Sequence, residues 1–189
     1  MVSAESIGTF AFANCISLHL SSLPQNLVNI DMNAFHTTTS MGALSMNCPL
    51  LTSIKSSVFY GSTLTIPEQT LPAGVVEVGQ DAFAYCPNLV LNFNDAYGAP
   101  SLKNILYTAF QNSPQINLAN LPANIESIGG YAFRATPAAA GGSIEYIEVS
   151  TFPASIITIS NNIFHNKTST YGVIDLSACD NLRDWDAMS

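Results

Sequence analysis

Apolar positions recur along this chain with a long, steady beat. An aliphatic residue is followed five positions later by Phe, usually with Ala immediately before it. The phenylalanines are Phe12, Phe35, Phe59, Phe83, Phe110, Phe133 and Phe164, spaced by 23, 24, 24, 27, 23 and 31 residues. Five positions before them stand Ile7, Ile30, Ile54, Val78, Ile105, Ile128 and Ile159. Eight positions before, from the second copy onward, stand Leu27, Leu51, Val75, Leu102, Ile125 and Ile156. A column that stays apolar in every copy faces inward, because stacked neighbours bury it. A period in the twenties is too long for a coiled coil and too short for helical hairpins. It fits one coil of a β-containing solenoid. The Ala before most of the phenylalanines leaves little room beside the ring, which predicts a tight turn there, helical or 3₁₀ and short.

After each Phe, two apolar residues flank a variable one. These triplets are Leu18-His19-Leu20, Leu44-Ser45-Met46, Leu64-Thr65-Ile66, Leu89-Val90-Leu91, Ile116-Asn117-Leu118, Ile147-Glu148-Val149 and Ile174-Asp175-Leu176. Alternation over three residues reads as a short strand with one buried face. Stacked coils then make a parallel sheet, one strand per repeat. Pro in Leu23-Pro24, Leu71-Pro72, Leu121-Pro122 and Phe152-Pro153 ends the strand, since it cannot continue a ladder. The second and seventh strands lead instead into Asn47-Cys48 and Ala178-Cys179 corners. Excursions at 93–101, 134–143 and 166–172 break the rhythm and predict surface loops.

Composition narrows the function classes. Of 189 residues, 48% are hydrophobic, which supplies a continuous core, and only 10% are charged. Surface polarity therefore falls to Asn, Ser, Thr and Gln. The net charge is −8, with five Lys plus Arg. Nucleic acid demands clustered cations, and anionic membrane surfaces do too, so neither is an expected partner. No apolar run approaches the length of a membrane span, and no secretory leader is visible. The uninterrupted period gives one solenoid domain over 1–189. Leu182 and Trp185 take the two apolar places that precede a Phe, yet that Phe would fall beyond Ser189. Solenoids need polar caps, and neither end reads as one. A piece of a longer protein is the expectation.

Catalytic spacings are absent: no C-x-x-C, H-E-x-x-H, G-x-S-x-G, P-loop or G-x-G-x-x-G occurs. His19, His36 and His165 lie in different copies. His36 and His165 share a column five coils apart, about 24 Å, too far for one metal. Cys15 and Cys86 share a column about 14 Å apart, beyond disulfide reach. Cys48 and Cys179 share a corner five coils apart, so four free thiols are expected, with no metal and no cofactor. Glu148 and Asp175 occupy the same exposed strand position in adjacent copies, about 5 Å apart. Such a pair repels unless a cation separates it. Asn166-Lys167-Thr168 fits a glycosylation sequon, and Tyr97 and Tyr171 fall in two of the long excursions.

The combined pattern resembles the BspA-like, or Treponema-type, leucine-rich repeats, whose phrase is roughly I-G-x-x-A-F-x-x-C-x-x-L-x-x-I-x-[IL]-P. Ile7-Gly8, Ala11-Phe12, Cys15, Leu18 and Leu20 match it, as do Val78-Gly79, Ala82-Phe83, Cys86, Leu89 and Leu91. Ile128-Gly129 with Ala132-Phe133 match as well. The second, third, fifth and seventh copies lack the Gly, and the sixth carries an Ala/Gly-rich insertion. The resemblance implies a right-handed leucine-rich-repeat solenoid, mainly β with short helical turns, of about seven repeats of 23–31 residues. It also implies a surface or secreted protein that adheres to, or binds, other proteins.

The expectation is thus a non-enzymatic binding module, cell-surface or extracellular, that takes a protein partner ahead of a glycan. The docking surface would be the concave sheet face carrying His19, Ser45, Thr65, Val90, Asn117, Glu148 and Asp175. The acidic end, with Glu145 and Asp180 nearby, would hold any basic group or divalent cation. Two alternatives stand beside it: a parallel β-helix polysaccharide lyase, and a structural stalk.

Overall fold

The computed structural model describes residues 4–93, 101–113, 115–117, 121–134, 152–163 and 176–185. Ten strands lie among them: β1 (Ser6–Ile7), β2 (Asn29–Ile30), β3 (Ser53–Ile54), β4 (Glu77–Val78), β5 (Val90–Asn92), β6 (Asn104–Ile105), β7 (Gln115–Asn117), β8 (Ser127–Ile128), β9 (Thr158–Ile159) and β10 (Asp184–Trp185). Every pairing is parallel. β3-β4-β6-β8-β9-β10 form one six-stranded sheet, while β1-β2 and β5-β7 form two small ones. The chain is a stack of β-containing coils.

The long ladder is not where the alternating triplets predicted it. It runs through the dipeptide that ends on the aliphatic residue five positions before each Phe. In that dipeptide the first residue is polar and the second is apolar and, in every copy whose side chain is described, buried. The dipeptide keeps a fixed five-residue offset from the Phe whatever the length of the coil, and the register holds: Glu77 faces Asn104, Asn104 faces Ser127, and Ser127 faces Thr158. The triplets after the Phe pair only locally, in β5-β7 and in isolated bridges between Ser22 and Ser45 and between Ala43 and Thr65. Nine positions separate Phe35 from Leu44, against five from Phe59 to Leu64. Unequal spacers offset the register between these two copies, whereas the fourth and fifth, each with six positions from Phe to triplet, pair as β5-β7.

The expected helical turns are corrected too, since no helix occurs among the described residues. The Ala-Phe segments are turns with left-handed residues placed symmetrically about the Phe. Two positions before it, Phe10, Asn33, Ser57, Asp81, Thr108, Tyr131 and Asn162 all have φ between 54° and 59°. Two positions after it, Asn14, Thr37, Tyr85 and Asn112 have φ between 53° and 59°, with Gly61 at 65°. Left-handed residues stop a helix from propagating. They also turn alternate N–H groups along the stack. The amides of Asn33, Phe35 and Thr37 donate to the carbonyls of Ser56, Val58 and Tyr60 in the next coil, at 3.2, 2.9 and 2.7 Å. The same trio of bonds recurs from coil to coil.

This turn ladder holds the core rings. Phe35, Phe59, Phe83, Phe110 and Phe133 are fully buried, and Phe12 is partly buried at the end of the row. Successive rings stack at centroid separations of 5.2–5.5 Å with planes within 12° of parallel. Burying each is worth about 1.5–3 kcal/mol before stacking is counted. The Phe column is core, as the repeat pattern required.

Three positions after the Phe runs a column of small polar residues: Cys15, Thr38, Ser62, Cys86 and Ser113. The last four are buried. Ser62 Oγ donates to the Phe35 carbonyl at 2.7 Å, Cys86 Sγ to that of Phe59 at 3.0 Å and Ser113 Oγ to that of Phe83 at 2.5 Å. Each side chain adds a bond to a carbonyl of the preceding coil; those of Phe35 and Phe59 also accept from the Thr38 and Ser62 amides of their own turns. Thiol and hydroxyl serve interchangeably as small donors here.

Candidate functional site

Of the expected docking column, His19, Ser45, Thr65, Val90 and Asn117 are described. His19 is exposed on the first coil, and Ser45 and Thr65 are half-buried. Ser45 bridges to Ser22, Thr65 to Ala43, Val90 faces Gln115, and Asn117 faces Asn92. None of these five is the cross-strand partner of another. Unequal spacers account for the offset between Ser45 and Thr65, while Val90 and Asn117 are offset by two residues although six positions separate Phe from triplet in both their copies. Glu148 and Asp175 lie outside the described residues, as do Glu145, His165, Tyr97, Tyr171 and the Asn166 sequon. Asp180 is described, and it is exposed.

A different surface gathers the residues that make contacts. All four described tyrosines, Tyr60, Tyr85, Tyr107 and Tyr131, stand within three positions of a core Phe, on the turn side of the coils. His36 stacks on Tyr60 at 4.8 Å with planes 8° apart, and Tyr60 meets Tyr85 at 5.3 Å and 50°. Gln111 Nε2 donates to the Tyr85 hydroxyl at 3.1 Å. Further along, Tyr107 and Tyr131 pack edge to face at 5.8 Å, and the Arg134 guanidinium lies 5.2 Å over the Tyr131 ring. Phe10 and Met32 are exposed on the same side, at 60% and 49%. The ridge follows from the fold: residues beside the buried Phe in successive coils are held one coil spacing apart, so any rings there must stack.

Local bonds fix the ridge's first member. Thr37 Oγ1 donates its single proton to Asn14 Oδ1 at 2.8 Å. The 2.7 Å contact between Thr37 Oγ1 and His36 Nδ1 is therefore a bond donated by the ring, which puts the acceptor of the neutral imidazole on Nε2. Burial first, then Tyr85 and Asp81, push the Tyr60 phenol above its ordinary range, so it is a neutral donor. The rings are engaged with one another, face to face in His36-Tyr60, tilted in Tyr60-Tyr85 and edge to face in Tyr107-Tyr131. That suits contact with a protein surface better than the face-on stacking a sugar would seek.

Nothing described has the make-up of a reaction centre. No group of three or more His, Cys, Asp or Glu comes together to hold a metal among the described residues. None of the four cysteines forms a disulfide, as column spacing required. Burial drives the Cys48 thiol up to about 11 and that of Cys86 up to about 12, so neither is a nucleophile near neutral pH. The two ion pairs, Lys55 with Asp31 at 2.7 Å and Lys103 with Glu126 at 2.6 Å, link adjacent coils at the surface.

Sequence reading missed the ridge because Tyr60 and Tyr85 sit one and two positions after their Phe, and Tyr107 and Tyr131 three and two before. They form no single column. A search over whole neighbourhoods of the Phe, instead of position by position, would have found them.

Comparison with known proteins agrees with this geometry. The model of the BspA type leucine rich repeat region matches in six copies, over residues 2–90 and 52–177. No curated protein matches the chain. The crystal structure of a leucine-rich repeat protein from Bacteroides ovatus is similar at 17% identity and a TM-score of 0.42, over 86% of this chain and 50% of that one. The chain thus spans about half the length of that protein. With the repeat matched across most of its length and its Phe column stacked as the core, the chain belongs to the BspA-type leucine-rich repeat family.

Proposed function

We propose that this chain is a non-enzymatic, protein-binding segment of a cell-surface or secreted protein, acting in adhesion. One observation carries the reading: the described tyrosines, with His36, Met32, Phe10 and Arg134, collect on the turn side of the coils. Aromatic residues, Met and Arg are the residues enriched where proteins bind one another, and Tyr and Arg dominate binding hot spots. The rigid coil stack orders these side chains before any partner arrives, which lowers the entropic cost of docking. Surface or extracellular placement follows what is typical of the family.

The test is a biolayer-interferometry screen of the purified chain against purified extracellular and cell-surface proteins. A saturable partner is expected, with affinity about tenfold or more weaker for Tyr60→Ala/Tyr85→Ala. Tyr60→Phe/Tyr85→Phe, which keeps the rings, controls for folding. A partner indifferent to both variants would move the docking surface elsewhere on the coils. Protease shaving of intact source cells tests location: a surface protein is cleaved while cytosolic markers survive.

A further inference from the structure

A cavity of about 330 Å³ opens where the second and third coils end. It exists because the third coil's corner is two residues longer than its counterparts. Five positions separate Ile66 from Leu71, against three from Leu20 to Leu23 and from Leu118 to Leu121. The extra residues form a bend closed by the Gln69 amide donating to the Ile66 carbonyl at 2.9 Å. Gln69 takes a left-handed φ of 54° there, which costs of order 1 kcal/mol in a residue that is neither Gly nor Asn.

Neighbouring coils pin this bend on both sides. Ser45 Oγ in the second coil donates to Glu68 Oε1 at 2.6 Å. From the fourth coil, the Asn92 amide donates to the Gln69 carbonyl at 2.8 Å, and Asn92 Nδ2 to Gln69 Oε1 at 2.7 Å. The opposite wall is the Asn47-Cys48-Pro49 corner, itself tightened by the Cys48 amide on the Met46 carbonyl at 2.7 Å. Gly74 lets the coils close at this point, since a Cβ there would lie 2.6 Å from the Pro49 carbonyl oxygen. The cavity is therefore held open by bonds within the fold.

We infer that this cavity receives the lysine side chain of a protein partner. The inference rests on the protein-binding reading and gives it a second, chemically specific contact. Glu68 enters neither of the two ion pairs among the described residues, and the net charge of −8 draws cations toward it. Met46, Leu71 and Pro72 line the cavity with apolar surface for an aliphatic stem. Asn47 and Thr70 also line the cavity, and each carries a side-chain oxygen that can accept from an ammonium.

Other occupants fit less well. Ser45 already engages Oε1, so a two-pronged guanidinium would have to share that oxygen with Ser45, whereas an ammonium needs Oε2 alone. No aromatic ring lines the cavity for a sugar to stack on. A single carboxylate is a poor cage for a divalent cation, which seeks several oxygens.

The experiment follows backbone amide shifts of the labelled chain as acetyl-Gly-Lys-Gly-amide is added. Matched peptides carry norleucine, Nε-acetyllysine or arginine in place of lysine. Saturable shifts confined to the 45–49 and 66–72 segments are expected with lysine. The norleucine and acetyllysine peptides, and the Glu68→Gln variant with lysine, should bind roughly tenfold more weakly, the loss of one charge-assisted contact. Ser45→Ala frees Oε1 and should narrow the preference for lysine over arginine. The assignment is overturned if lysine and norleucine peptides bind alike, if Glu68→Gln changes nothing, if arginine binds as well as lysine to the unaltered chain, or if no saturable shift occurs. The probe needs neither a natural partner nor Tyr60 and Tyr85. Its failure would leave the tyrosine ridge standing, and loss of binding at the ridge would leave this titration unchanged.

Discussion

On the strand side, each coil gives a mere two extended residues to the long ladder, and that ladder parts between β2 and β3 into separate sheets. On the turn side, bonds between coils run unbroken from the Phe10 amide to the Ile163 carbonyl. They cross the β2/β3 junction through Asn33, Phe35 and Thr37. The turn side also carries the Phe stack and the column of small buried donors. The turn side is therefore the spine of this solenoid, and the strand side is a lighter brace. A repeat protein is approximately a sum of coil and junction energies, so the side with the denser junction sets the stability of the whole.

The sharpest way to break that comparison is to remove one ring from the middle of the row. Phe83 is fully buried between Phe59 and Phe110, at 5.3 and 5.5 Å. Phe83→Ala should cost about 3–5 kcal/mol, from lost burial and the cavity left behind. Urea unfolding followed by circular dichroism measures it. A loss below about 1 kcal/mol would mean that the ring row is not what the stack depends on.

A glycine pair sharpens the argument at the hinge between the two sides. Gly8 and Gly79 hold the same place in the repeat, directly after the strand. A Cβ on Gly79 would lie 2.8 Å from both the Lys55 carbonyl carbon and the Ser56 amide nitrogen of the preceding coil. A Cβ on Gly8 would meet nothing within 4 Å. Backbone cannot yield as a flexible side chain can, so Gly79→Ala should lower stability by about 1–3 kcal/mol. Gly8→Ala should be neutral within about 0.5 kcal/mol. Equal effects in thermal melts would show that coil contact is not what selects glycine there.

Much of this was legible from periodicity. The Phe column, the two aliphatic columns before it and the absence of disulfides all follow from constant offsets to the Phe, because stacking converts a sequence column into a spatial one. Legibility failed where spacing is unequal. The segment from Phe35 to Leu44 is longer than that from Phe59 to Leu64, so Ser45 and Thr65 share a place in the pattern but sit two residues out of register, with Thr65 facing Ala43. The left-handed turn residues were hidden for another reason. Phe10, Ser57, Asp81, Thr108 and Tyr131 share a backbone conformation and no side-chain chemistry, so no column announces them. The cavity beside Glu68 arises from a two-residue difference between corners, which periodicity treats as noise.

The conformational strain of the turn side gives a smaller effect of predictable sign. Ser57 has φ 55° and lies two positions before Phe59. Ser57→Gly removes the clash of Cβ with the backbone and should raise stability by about 0.5–1 kcal/mol, less the entropy glycine adds to the unfolded chain. Ser57→Val, branched at Cβ, should lower it by about 1–2 kcal/mol. Denaturant midpoints would show both shifts. The reverse order would mean that the left-handed position is relaxed by its neighbours and that turn-side cohesion comes free of strain.

The smallest effect belongs to the strand side. Lys103 and Glu126 immediately precede β6 and β8 and meet at 2.6 Å, with side chains 47% and 38% exposed. An ion pair this open to water gains modest Coulomb energy, and ordering two long side chains offsets part of it. A double-mutant cycle with Lys103→Met and Glu126→Gln should give a coupling of about 0.5 kcal/mol or less. Raising the salt to about 1 M shortens the screening length to about 3 Å and should reduce the coupling further. The amide of Glu126 also donates to the Lys103 carbonyl at 2.8 Å, and neither substitution touches that bond. A coupling above about 1.5 kcal/mol that survives high salt would exceed what exposed pairs supply. Side chains on the strand side would then hold the coils together as firmly as the turns do, and the division between spine and brace would fail.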